Sequence, residues 1–208
     1  MLKDNSTLRL KVQLRTNLLK LIGEPVVMET HGGYGAIWNQ CYSHLAHGVV
    51  FEKDPDKASV LAVQRPSWAV YECDCVMALS AGVGAHLPVN FLDIDPYGEP
   101  WPVIDAFFQS ERPFPQTMGI VVNDGLRNRL KVAAWDVASM SEMVARYGNK
   151  DVYKNYLEIC RELLQEKAGQ RGYTLTRWAG YYCGHAGHGK TAIGTGQMTH
   201  YAALFSQV

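Results

Sequence analysis

The sequence predicts an α/β chain built on a mostly parallel sheet, with one antiparallel hairpin at its edge. Three observations lead there. Five short apolar runs, each ended by turn residues, alternate with segments of helical spacing, which is the pattern of right-handed βαβ crossovers. Two further strand-like runs close the chain with no helix between them, so they pair as a hairpin. Glycines and carboxylates gather just after the apolar runs, where open α/β sheets bind ligands. The 208 residues, 47% apolar and 19% charged, are ample for one core.

The elements follow in order. Leu8, Leu10, Val12 and Leu14 alternate with polar residues as in a strand, while Leu10, Leu14, Leu18 and Ile22 fit a helix. Thr16 or Asn17 is the expected cap of a short helix ending at Gly23, and residues 1–24 form an extension packed on the domain of 25–208. Strands are expected at Pro25–Glu29, Gly48–Glu52, Trp68–Glu72, Val89–Ile94, Met118–Asn123, Tyr173–Cys183 and Thr199–Phe205. Helices are expected at Ala36–Leu45, at Ala58–Gln64 with Asp56 as cap, near Val76–Leu79, and at Pro100–Ser110. Two more carry one apolar face each: Ala133, Val137, Met140, Val144 and Tyr147, then Val152, Tyr156, Ile159, Leu163 and Leu164.

Charge excludes little. Lys+Arg and Asp+Glu balance at 20 each, so any nucleic-acid footprint must be local. No run is long and apolar enough for a membrane helix, and Met1-Leu2-Lys3-Asp4 lacks the apolar core of a secretory signal. Five scattered cysteines point to free thiols in a reducing cytoplasm.

Four strand ends carry the chemistry. Glu29-Thr30-His31-Gly32-Gly33-Tyr34-Gly35 joins the first strand to a helix through a glycine turn that a ligand can approach closely. Trp38 stands where a dinucleotide loop needs its third glycine, which disfavours nicotinamide or flavin. Glu52, about 20 residues beyond the loop, can accept from both hydroxyls of a ribose. Asp74, beside Cys75 after the third strand, can receive an adenine amino group. Asp93-Ile94-Asp95-Pro96-Tyr97-Gly98 puts two carboxylates, a proline carbonyl and an aromatic ring at the end of the fourth.

In this order the residues resemble the Rossmann-like S-adenosylmethionine (SAM)-dependent methyltransferases, whose seven-stranded sheet ends in an antiparallel hairpin with helices on both faces. His31 departs from that pattern, standing where the family has its first glycine. The resemblance implies SAM as cofactor, held by Glu29, His31, Gly32, Gly33, Gly35, Glu52, Asp74 and Cys75. Asp95-Pro96-Tyr97 is similar to the acidic-Pro-aromatic motif of amino-methyltransferases, and the run through Glu99-Pro100 with Ile104-Asp105 resembles the tRNA guanine N2-dimethyltransferases. That likeness implies an exocyclic base amine as acceptor, in RNA ahead of DNA. Asp95 and the Pro96 carbonyl would take the amine hydrogens and Tyr97 would stack on the base, while Asp93 orients either the loop or the SAM amino group. A small-molecule or protein methyltransferase, or a SAM-binding partner subunit without catalysis, is the alternative.

Other motifs carry weaker chemistry. Gly184-His-Ala-Gly-His-Gly-Lys190-Thr191 matches a phosphate-binding loop in letters, but a poor helix follows it, so a loop bordering the substrate is expected. Cys183, His185, His188 and His200 do not have the spacing of a zinc site, and no metal is expected. Arg127, Arg129 and Lys131 suit either phosphates or a solvated helix start.

Overall fold

A computed structural model describes residues 8–96, 98–131, 137–183 and 198–207. Among them, seven strands form one sheet: β1 (Val27–Glu29), β2 (Gly48–Glu52), β3 (Ala69–Glu72), β4 (Phe91–Ile94), β5 (Thr117–Asp124), β6 (Tyr173–Cys183) and β7 (Met198–Gln207). Their spatial order is β3-β2-β1-β4-β5-β7-β6. The first five run parallel, and β7 lies antiparallel to both β5 and β6. The expected mostly parallel sheet with a closing hairpin is therefore present.

Nine helices pack around it among the described residues: α1 (Leu8–Leu19), α2 (Ala36–Cys41), α3 (Pro55–Gln64), α4 (Cys75–Ser80), α5 (Trp101–Gln109), α6 (Leu126–Lys131), α7 (Ala138–Tyr147), α8 (Asn149–Lys154) and α9 (Tyr156–Gly169). Three expectations are corrected. The alternating Leu8–Leu14 stretch is helical throughout: Leu14, Leu18 and Ile22 make a stripe that packs with Val121 and Leu204 of the sheet. Leu18 and Ile22 fill the space above Gly119, where a Cβ would collide with them. Asp54, not Asp56, caps α3, accepting from the Asp56 and Lys57 N–H groups ahead of Pro55 in the first turn. The stretch around Val152–Leu164 breaks at Asn155 into α8 and α9, and α7 starts only at Ala138, with residues 132–136 outside the described part.

The period of two along the strands sorts the two faces. Met28, Leu92, Ile94, Ile120, Val122, Tyr201 and Phe205 point to the larger core with α4, α5 and α9. Val27, Phe91, Val121, Ala202 and Leu204 point to the smaller one under α1 and α2. By the same alternation Asp93, Asp95, Asn123 and His200 lie on the α1 side. No described helix is long and apolar enough to cross a membrane.

Candidate active site

The glycine loop after β1 is pinned by backbone. Thr30 N–H donates to the Asp93 carbonyl (2.9 Å) and Gly32 N–H to that of Phe51 (3.1 Å). Gly33 and Gly35 adopt φ of 55° and 79°, a region that side chains other than glycine rarely enter. Gly32 is required for space: a Cβ there would stand 2.5 Å from both Leu61 and Val50. The close loop packing usually served by a later glycine is thus supplied by Gly32, which leaves position 38 open to a tryptophan.

Glu52 ties this loop to β2. Its Oε2 accepts from Gly33 N–H (2.7 Å) and its Oε1 from Asp54 N–H (3.0 Å). A carboxylate has about four acceptor sites, so two remain for a diol. Asp74 uses Oδ1 to cap α4, accepting from Val76 N–H (3.0 Å) and Met77 N–H (3.2 Å), and is exposed. His31 sits between these groups. Its Nδ1 lies 2.9 Å from the Thr30 hydroxyl and its Nε2 3.8 Å from the Cys75 thiol. Burial lowers the imidazole pKa against the pull of Asp95, Glu52, Asp74 and Asp93, so His31 is neutral near pH 7. Burial also pushes the Cys75 thiol up to about 12, which leaves it an inert thiol.

Glu29 sits behind the loop rather than in it. The side chain is buried and ion-paired with Arg65, whose guanidinium lies 5.0 Å from the Trp38 ring centre and 5.3 Å from that of Trp68. Burial raises the Glu29 carboxyl to about 8 in opposition to Arg65. Its link to a cofactor therefore runs through the packing of α2 and α3.

At the end of β4 the two aspartates have different surroundings. Asp93 is fully engaged: Arg15 Nε and Nη2 donate to its two oxygens (2.7 and 2.6 Å), and the Tyr42 hydroxyl donates to Oδ2 (2.6 Å). Of the two roles left open for Asp93, this arrangement favours orienting the chain. Asp95 is partly exposed, and Lys11 Nζ reaches both of its oxygens (3.0 and 3.1 Å), with Arg15 Nη2 at 3.9 Å. Burial would raise its pKa, but Lys11, Arg15 and the amide of Asn123 outweigh that and hold it below the ordinary carboxylate value. Asp95 is thus an anionic acceptor and a poor base at neutral pH. Pro96 is buried beside it, and Tyr97 lies outside the described residues.

Lys11, Arg15, Tyr42, Asn123 and His200 are functional-site residues that sequence reasoning missed. Lys11 and Arg15 are four apart, which would have signalled one helical face had the stretch been read as a helix. His200 Nε2 is 3.3 Å from the Cys183 thiol and its Nδ1 3.3 Å from the Tyr181 hydroxyl. Burial, then the charge of Lys11, lowers its pKa to about 3, so it stays neutral. His185, His188 and the rest of Gly184–Gly196 lie outside the described residues. Arg127 is buried against the rings of Tyr153 and Tyr182, which fits neither a phosphate contact nor a solvated helix start.

No protein-family model matches the chain, and no curated protein matches it in sequence. Solved structures match throughout its length. Trm1 from Pyrococcus horikoshii, in complex with S-adenosyl-L-methionine, superposes with a TM-score of 0.66 at 10% identity over 100% of this chain and 56% of that one. The chain thus spans little more than half the length of that protein. NodS, an N-methyltransferase from Bradyrhizobium japonicum in complex with S-adenosyl-L-homocysteine, gives 0.58 at 10% identity, covering 99% of this chain and 90% of its own. TYW2 from M. jannaschii, in complex with AdoMet, gives 0.55 at 10% over 100% and 79%. The chain has the Rossmann-like fold that these methyltransferases share.

Proposed function

We propose that the chain is a SAM-dependent methyltransferase acting on an exocyclic amine of a nucleobase, in RNA ahead of DNA. One observation carries the reading. The glycine loop, Glu52 and Asp74 converge at successive strand ends, and Asp95-Pro96 stands at the next strand along the same edge. The pocket suits the cofactor: Gly32 and Gly35 mark where a Cβ would fill the cradle, and Glu52 keeps acceptor capacity for a ribose. His31, Gly33 and Cys75 line the same loop cluster, and Glu29 braces it through Arg65.

SAM would supply an electrophilic methyl group. The chain's own part is to hold the acceptor. Asp95 and the Pro96 carbonyl accept the two amine hydrogens, drawing the lone pair out of the ring plane and toward the methyl group. Tyr97 stacks on the base, which in a duplex must first be flipped out. The RNA preference rests on the likeness of Asp93–Pro100 to the tRNA guanine N2-dimethyltransferases.

Incubation with methyl-labelled SAM and separated pools of RNA, DNA, protein and small molecules tests the reading. Label is expected in RNA, and Asp95→Ala is expected to slow single turnover about 10²–10³-fold while SAM affinity holds. Label in protein or small molecules would select the alternative acceptors. Tight SAM binding with no transfer to any pool would favour a non-catalytic partner subunit.

A further inference from the structure

Asn123 is the last residue but one of β5, next to Asp95 across the parallel β4–β5 pair and on the same face of the sheet. It is completely buried. Neither its Nδ2 nor its Oδ1 meets a hydrogen-bond partner of proper geometry among the described residues. Its donor end is near enough to Asp95 to help lower that carboxyl's pKa. A buried amide left unpaired at both ends is costly, and in folded proteins such a group calls for a specific reason. Its neighbours offer none. Asp93 is taken by Arg15 and Tyr42, and His200, its cross-strand partner on β7, is turned to Cys183 and Tyr181.

We propose that Asn123 is a specificity-determining residue of the acceptor site, its amide pairing with the ring N–H and ring carbonyl that adjoin the amine held by Asp95. The inference rests on the amine-methyltransferase reading and deepens it. An amide offers one donor and one acceptor side by side. Both are satisfied only by an edge that carries an acceptor beside a donor, a cyclic –NH–C(=O)– unit. An amine flanked only by ring acceptors, as in adenine or cytosine, would use Nδ2 and leave Oδ1 buried and unpaired. Adjacent strands lie about 4.8 Å apart, comparable to the width of one heterocycle's pairing edge, so Asp95 and Asn123 can read neighbouring groups of a single ring. A base in RNA and a free 2-amino-4-oxo heterocycle share this chemistry. α1 lies across this face, and Lys11 is the group on Asp95 that the incoming amine displaces.

The test compares two acceptors with the same exocyclic amine. One is a short RNA with a single guanine; in the other, 2-aminopurine replaces it and lacks the ring N–H and carbonyl. Free guanosine and 2-aminopurine riboside form a second pair that separates an RNA source from a small-molecule one. Wild-type kcat/KM is expected to favour guanine by about 5- to 150-fold, the range for one bidentate pair. Asn123→Ala is expected to lose that preference by slowing guanine alone, with unchanged SAM affinity and an unchanged rate on 2-aminopurine. Asn123→Asp, which keeps an acceptor and loses the donor, is expected to reject guanine as well. Equilibrium binding of the two RNAs without cofactor should show the same order. Equal use of both acceptors by the wild type, or a preference that survives Asn123→Ala, overturns the proposal alone. Absence of transfer to either amine while SAM binds overturns the methyltransferase reading and the proposal with it.

Discussion

Lys11 and Asp95 form a contact that the proposed chemistry must break. The ammonium donates to both carboxylate oxygens, the acceptors that an incoming amine needs. Lys11→Met should therefore lower the KM for the acceptor several-fold with little change in SAM affinity, read by steady-state kinetics beside calorimetry. A rise in KM would instead make Lys11 a contact to the substrate. Gly32 makes the complementary case of a residue chosen for what it lacks. Gly32→Ala drives a methyl group into Leu61 and Val50, and overpacking of this kind costs about 1–3 kcal/mol. The midpoint of denaturant unfolding should fall, and SAM affinity with it, because the strain is in the loop itself.

At the level of elements, α1 is joined to the catalytic edge by a buried ion pair. Arg15 is fully buried and meets both oxygens of Asp93, so removing it leaves a carboxylate under α1 with only Tyr42 as donor. Breaking such a pair typically costs about 3–5 kcal/mol. Arg15→Met should show a loss of that order in denaturant unfolding, and Arg15→Lys a smaller one, since lysine keeps the charge but not the two-pronged geometry. The sheet was legible because its strands are short apolar runs ended by turn residues, and β2 and β6 fall on the expected residues. Glu52 and the glycine loop were legible because strand ends and sharp turns leave local marks. α1 was not. Four leucines and valines at alternate positions satisfy strand spacing by chance, and the deciding term is tertiary: a sheet face with Gly119 at its centre that needs a cover. The missing helix hid Lys11 and Arg15, and with them the reason for two aspartates at one strand end. Asn123 left no mark in sequence, because its significance is that nothing around it pairs with it.

For the molecule as a whole, Asp124 makes stability depend on pH. It follows Asn123 on β5 but points to the opposite face, into the junction of β5, β7 and α9. It accepts from Leu126 N–H (2.8 Å), the Tyr156 hydroxyl (2.9 Å) and the Tyr201 hydroxyl (3.4 Å), and no described cation neutralises it. Burial raises its carboxyl from an ordinary 3.8 to about 7, beyond what these donors recover. Between those values the folded protein keeps a proton that the unfolded chain has lost. The unfolded state then binds fewer protons, so unfolding free energy falls as pH rises. The contribution is complete below about pH 4 and gone above about pH 7, with a size on the order of 4 kcal/mol. Glu29, raised to about 8 by burial, acts in the same direction. Thermal or urea unfolding from pH 5 to pH 8 should show stability declining across this window. Asp124→Asn keeps an acceptor oxygen for Leu126 N–H and the tyrosines but does not ionise, so its profile should be flatter, and at pH 8 it should equal or exceed the wild type. Stability that rises from pH 5 to pH 8, or an Asp124→Asn profile parallel to the wild type's, would mean that Asp124 ionises in the folded core at no cost.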